Sequence, residues 1–209
     1  MKQRYLYMEI TKVVRHTPGE LVDKLRRVTM LTDPDCYIYR DVFISLEKIH
    51  TNYLAPAQSY VLTGELQKVR ELKWELARHG CDLFHLDGYV TLYLAGYDEP
   101  VDLLPPVIEE SVEADGSVFN IICDGMHRVY LARLEWIVPQ VIFIRGVPKD
   151  KPYYAYPLPG GWSQVVLRED LPPGFIKKWH RIAEYKSLYR NFNSAFHNVG
   201  GPRGHFRKG

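Results

Sequence analysis

Hydrophobic and polar positions alternate along this chain with two periods, and the switches between them mark the elements. Residues 4–14, Arg4-Tyr-Leu-Tyr-Met-Glu-Ile-Thr-Lys-Val-Val14, are aromatic and β-branched and predict a strand. Thr17-Pro18-Gly19-Glu20 then spells a helix start, with Thr17 as cap, Pro18 at the first helical position and Glu20 closing a capping box. Leu21, Leu25 and Val28 supply the buried face of that helix. Thr32 to Asp35 reads as a turn, Cys36 to Ile49 as an extended stretch, and residues 50–63 as a connecting loop. From Gly64 to His79, Leu66, Val69, Leu72 and Leu76 recur at helical spacing, and Gly80 is placed to end the helix. Two short apolar runs around Asp87-Gly88 predict a hairpin.

Further along, Leu103 to Ile108 suits a strand entered from prolines, and Ala114-Asp-Gly-Ser117 is a turn. Val118 to Cys123 has the length and continuous apolar character of a strand buried on both faces. The pattern then breaks at Asp124-Gly125 and resumes at helical spacing through His127, Tyr130, Leu131 and Leu134. Val138 to Ile144 is a second buried-strand candidate, and Ser163 to Leu167 a short final strand. Beyond Pro172-Pro173, the positions of Phe175, Trp179, Ile182 and Tyr189 predict a basic, aromatic helix. The last twelve residues hold too much glycine and charge to pack by themselves.

Charge divides the chain unevenly. The net charge is +2, but residues from Pro173 onward carry eight Lys/Arg against the single acid Glu184, a local +7 that leaves the rest at −5. A basic segment on an acidic body implies an anionic partner, a phosphate-bearing ligand or docking of the segment on the body. Three cysteines far apart, with no CxxC pair, fit a reducing compartment. No apolar stretch reaches the ~18–20 residues that span a bilayer, and Met1 to Tyr5 lack the apolar core of a secretion signal. The expected setting is therefore cytoplasmic, without membrane. His79, Cys81 and His85 fit no zinc spacing.

The chemistry concentrates at Asp124-Gly-Met-His-Arg128. A strand that breaks into a helix leaves the first backbone N–H groups of that helix unpaired, with partial positive charge, at a turn. An arginine there can fork onto phosphate oxygens. These five residues, set between an apolar strand and a helix, resemble the Asp-Gly-x-His-Arg signature of the ParB/sulfiredoxin-like superfamily. That superfamily includes chromosome-partition nucleotide-binding domains, sulfiredoxins and free-serine kinases. The resemblance implies an α+β fold, a mixed sheet with flanking helices spanning 41–147. An N-terminal strand–helix extension (1–40) would precede it, and a C-terminal helix and basic tail (148–209) would pack on the same body.

Sulfiredoxin chemistry needs a cysteine where this chain has Met126, and a thioether cannot attack. A full partition protein needs more chain after the motif than the ~60 residues here. The free-serine kinase branch is then nearest in kind. It implies a phosphotransferase acting on a small hydroxyl-bearing or nucleoside-type substrate, with Mg²⁺ and ATP or ADP as cofactors. In that reading Gly125, Met126, His127 and Arg128 hold phosphates, Asp124 serves Mg²⁺ or acts as base with His127, and Glu47 stands near the branch's catalytic glutamate. The alternative is a ParB-like nucleotide- or DNA-binding module, nuclease-like, with the basic tail on nucleic acid phosphates.

Overall fold

The computed structural model describes residues 9–201, so the first part of the expected strand at 4–14 and the end of the basic tail lie outside it. In chain order the elements are β1 (Ile10–His16), α1 (Pro18–Leu25), β2 (Thr29–Met30), β3 (Phe43–Lys48), β4 (Tyr60–Leu62) and α2 (Thr63–Arg78). They continue with β5 (Tyr89–Leu94), β6 (Val101–Leu103), β7 (Val107–Val112), β8 (Val118–Asp124), α3 (Met126–Leu134), β9 (Gln140–Arg145), β10 (Val166–Arg168) and β11 (Arg190–Asn191). The capping box forms as expected: the Thr17 side chain accepts from the Glu20 N–H while the Glu20 carboxylate accepts from the Thr17 N–H at 2.8 Å.

A four-stranded mixed sheet, ordered β3-β9-β7-β8, is the centre of the fold. β9 runs parallel to β7 and antiparallel to β3, and β7 pairs antiparallel with β8. β9, at the centre, is apolar without alternation from Val141 to Ile144, because both of its faces are covered. Ile121 of β8, Ile142 and Ile144 of β9 and Val107 of β7 point into one core with Leu21 and Leu25 of α1. Their neighbours Ile122, Val141, Phe143 and Ile108 point into the opposite core, under Val129 of α3. A second sheet, β1-β5-β6, is antiparallel, and its Leu92, Leu94 and Val101 share a third cluster with Leu66 and Leu76 of α2. The mixed sheet with flanking helices is the expected α+β fold.

The N-terminal, middle and C-terminal stretches interlock. β1 pairs with β5, β10 lies parallel to β4, and β11 pairs with β2.

Two expected elements are replaced. The hairpin around Asp87-Gly88 does not form: 82–88 are turns and bends, and the strand begins only at Tyr89. Gly88 sits at φ +109 directly against the His16 carbonyl, where any Cβ would overlap it. The glycine therefore serves a close crossing of two chain segments, and the real hairpin joins β5 to β6. The basic helix after Pro172-Pro173 is also absent, since residues 169–184 hold turns, bends and one bridge, Ala155 to His180. Its backbone bonds reach across to the body: Tyr156 N–H donates to Trp179 O at 2.9 Å and Arg181 N–H to Tyr154 O at 3.0 Å. The apolar positions at helical spacing bury no common face, as Trp179, Ile182 and Tyr189 all stay exposed. Among the described residues no helix is long and apolar enough to cross a membrane.

Candidate functional site

β8 delivers the motif to a cavity of about 400 Å³, within the ~300–1,000 Å³ range of small-molecule sites. Asp124 ends β8, Gly125 turns the chain at φ +83, and α3 begins at Met126. A Cβ on Gly125 would come within 2.9 Å of the Arg128 guanidinium and of Pro106, so conformation and space both require glycine. The first intrahelical bond runs from Val129 N–H to Gly125 O at 2.9 Å, and no side chain caps the helix. The N–H groups of Met126, His127 and Arg128 precede that bond, in a turn whose residues line the cavity.

Arg128 is spent largely on the fold. Its guanidinium donates to the Leu104 carbonyl and, at 2.8 Å, to Asp124 Oδ2, which ties the turn to the β6–β7 connection. Burial draws its pKa down, and the Asp124 carboxylate opposes that pull. The expected phosphate fork thus meets a guanidinium already engaged. Asp124 Oδ1 accepts no hydrogen bond among the described residues, and the side chain remains one-third open. His127 Nε2 accepts from Leu62 N–H at 3.3 Å. Burial pushes the imidazole pKa below its ordinary value against the opposing charges of Glu65 and Asp124, so His127 is neutral with its proton on Nδ1.

Glu47 does not join this group. It sits on β3, held by both guanidinium nitrogens of Arg145 at 2.9 and 3.2 Å and by Ser45 at 2.6 Å. The Arg145 hydrogen bonds hold its carboxyl below the usual range, and it does not line the cavity.

The aromatic residues of the basic last third, which by composition could stack a base or pack on the body, supply another wall. Tyr153, Tyr154, Tyr189 and Phe192 make one lobe of the cavity aromatic, with Lys178 donating to the Tyr153 and Tyr154 hydroxyls at 2.9 and 2.7 Å. Tyr153 in turn donates to the Cys123 carbonyl at 3.2 Å, which joins this lobe to β8. Behind it, Arg190 donates twice to Glu109 at 2.8 and 2.7 Å, and Tyr39 donates to the same carboxylate. Burial, and then the Glu109 charge, push the Cys123 thiol and the Tyr39 phenol well above their ordinary values, so both stay protonated. Glu109 was visible as an acid after an apolar run. Its partner, 81 residues away, carried no local signal.

The same geometry accounts for part of the charge asymmetry. Arg190 is consumed by Glu109, and Arg181 by Glu113 at 2.6 and 2.7 Å.

With the mixed sheet and its strand–turn–helix motif in place, the sequence was compared with known families. A model of the ParB CE domain matches residues 20–166, from α1 to the first residue of β10. The chain belongs to the ParB CE domain family. No curated protein and no solved structure matches it. The ParB CE match contains the whole four-stranded sheet, α2, and the Asp124–Arg128 turn. Lys178 and Arg190, which complete the cavity, come from the segment that follows the matched ParB CE residues.

Proposed function

We propose that the cavity holds a nucleotide with its phosphates on the first turn of α3, and that the protein transfers a phosphoryl group to a small hydroxyl-bearing substrate. The observation that carries this reading is the uncapped turn at Gly125–Arg128, lining a cavity large enough for a nucleotide. Unpaired N–H groups and the positive end of the helix favour anionic oxygens there. Lys68 on α2 and Lys178 also line the cavity and can neutralise phosphate charge. The aromatic lobe offers π-faces for a base.

Mg²⁺ suits this site. It takes one or two carboxylates together with phosphate oxygens, and Asp124 Oδ1 is the available carboxylate oxygen. When bound, the ion would neutralise charge on the transferring phosphoryl group. Arg128 fixes Asp124 and the turn. The Nδ1–H of neutral His127 can donate to an oxygen; Asp124, with Oδ2 on Arg128 and Oδ1 given to the metal, leaves the proton of the acceptor hydroxyl to pass to water. Glu47 takes no part.

Calorimetric titration with ATP, ADP and CTP in Mg²⁺ tests the reading. Micromolar binding is expected, weakened about tenfold in Lys68→Ala by loss of one charge-assisted contact. In Gly125→Ala it should be abolished, because the added methyl collides with the Arg128 guanidinium and Pro106 at a residue held at φ +83 and so displaces the turn. No binding of any nucleotide at millimolar concentration refutes the proposal.

A further inference from the structure

A second lobe of the cavity has a different chemistry from the turn and the aromatic wall. Val69 and Leu72, three residues apart on α2, face Leu92 and Leu94 of β5 and Val101 and Leu103 of β6 around the same space. Leu92 and Leu94 share a face of their strand by the two-residue period, and Leu92 is the registered partner of Val101. None of these six side chains carries a polar atom. Val69, Leu72 and Leu103 remain only partly buried, although they belong to the cluster of α2 and the second sheet. Asp102 also lines the cavity, yet it does not make this lobe polar. Its oxygens are taken by Thr91 at 2.5 Å, Lys24 at 3.2 Å and the His197 N–H at 3.0 Å. Met126, the first residue of α3, packs against this cluster, so the aliphatic lobe adjoins the N–H groups of the turn.

We propose that the acceptor is an aliphatic alcohol, its hydrocarbon chain seated among Val69, Leu72, Leu92, Leu94, Val101 and Leu103 and its hydroxyl directed to the turn at Gly125. This inference rests on the phosphotransferase reading. An amino acid or sugar in this lobe would leave its polar groups without partners. An alkyl chain loses nothing there and removes apolar wall from water. In the reaction, the alcohol oxygen forms a bond to the terminal phosphorus of the nucleotide. The bond from that phosphorus to the bridging oxygen breaks, its electron pair leaving with the shortened nucleotide, and the hydroxyl proton passes to water. The products are an alkyl phosphate and a nucleotide with one phosphate fewer.

The test is calorimetric binding of methyl, propyl and hexyl phosphate and of 1-hexanol to the whole protein, without nucleotide. Each methylene buried should tighten binding about fourfold, from ~0.8 kcal/mol per CH₂, so hexyl should exceed propyl phosphate on the order of 50-fold. Leu103→Asn should flatten this rise and leave methyl phosphate unchanged. The wild-type series decides the matter should that variant fail to fold. A flat series with measurable methyl phosphate binding overturns the aliphatic acceptor and leaves the phosphate turn standing. A chain-length rise in which 1-hexanol binds as tightly as hexyl phosphate supports the lobe and refutes the phosphate turn. No binding of any of the four overturns both.

Discussion

Removing the guanidinium of Arg190 is expected to be the most damaging single change outside the apolar core. Both partners of its ion pair are almost fully buried, Arg190 at 2% and Glu109 at 1% exposure. The five N–H donors of the guanidinium are matched by five bonds, two to Glu109 and one each to the carbonyls of Lys151, Pro152 and Leu188. Arg190→Met keeps volume but leaves Glu109 a buried charge without its cation and strands three carbonyls. Breaking a buried pair from one side costs ~3–5 kcal/mol, which for a chain of this size lowers Tm by roughly 6–20 °C. The assay is urea unfolding followed by tryptophan fluorescence and far-UV circular dichroism. The triple change Tyr39→Phe/Glu109→Leu/Arg190→Met, which removes the charge and the hydroxyl that addresses it, should recover part of the loss, because no uncompensated ion remains while the three carbonyls stay unpaired. A loss below ~1 kcal/mol for Arg190→Met alone, or no recovery in the triple variant, would refute the reasoning.

Other outcomes follow from local features. Thr17→Ala removes the reciprocal cap on α1 and should cost about 1 kcal/mol in urea unfolding. Trp136 holds φ +57 while 90% exposed, so Trp136→Asn should stabilise the protein by about 1 kcal/mol, read as a rise in the urea midpoint. The pKa of His127 is lowered in the folded protein, so the unfolded chain takes up the proton first as pH falls. Its contribution to stability is complete above about pH 6.5 and is lost as pH falls toward the folded value. His127→Gln should remove that part of the slope below about pH 6.5, measured against wild type in matched urea titrations.

Much of this was legible in the sequence wherever one residue's environment is set by near neighbours. The Thr17–Glu20 cap, the helix ended by Gly80, and the apolar runs of β8 and β9 all depend on local spacing, and they formed where expected. Asp124 to Arg128 were legible as a turn for the same reason. The pairing of Arg128 with the nearby Asp124 carboxylate was legible too, but its second contact, the Leu104 carbonyl, was not, because that carbonyl lies on another strand connection. The predicted C-terminal helix failed in the same way. Phe175 and Trp179 have helical spacing, yet Phe175 packs edge-on against Tyr60 and the backbone at Trp179 bonds to Tyr156. Competition from distant partners overrode a local preference. The aromatic wall of the cavity was composed of such contacts throughout.

The interlocking of β11 with β2 has a kinetic consequence. Thr29 N–H donates to Ser194 Oγ across 165 residues, and Arg190 reaches Glu109 across 81. Contacts of such separation demand loop closures whose entropy must be met before the contacts form, which slows folding. A chain emerging from the ribosome can assemble α1, β3 and the central strands early, but the wall of the cavity must wait for Tyr189, Arg190 and Phe192. Until then Leu21, Leu25 and Tyr39 face an incomplete core. The cavity is thus the last part of the described fold to close. A ligand present during refolding should act on the slowest phase and leave the early ones unchanged.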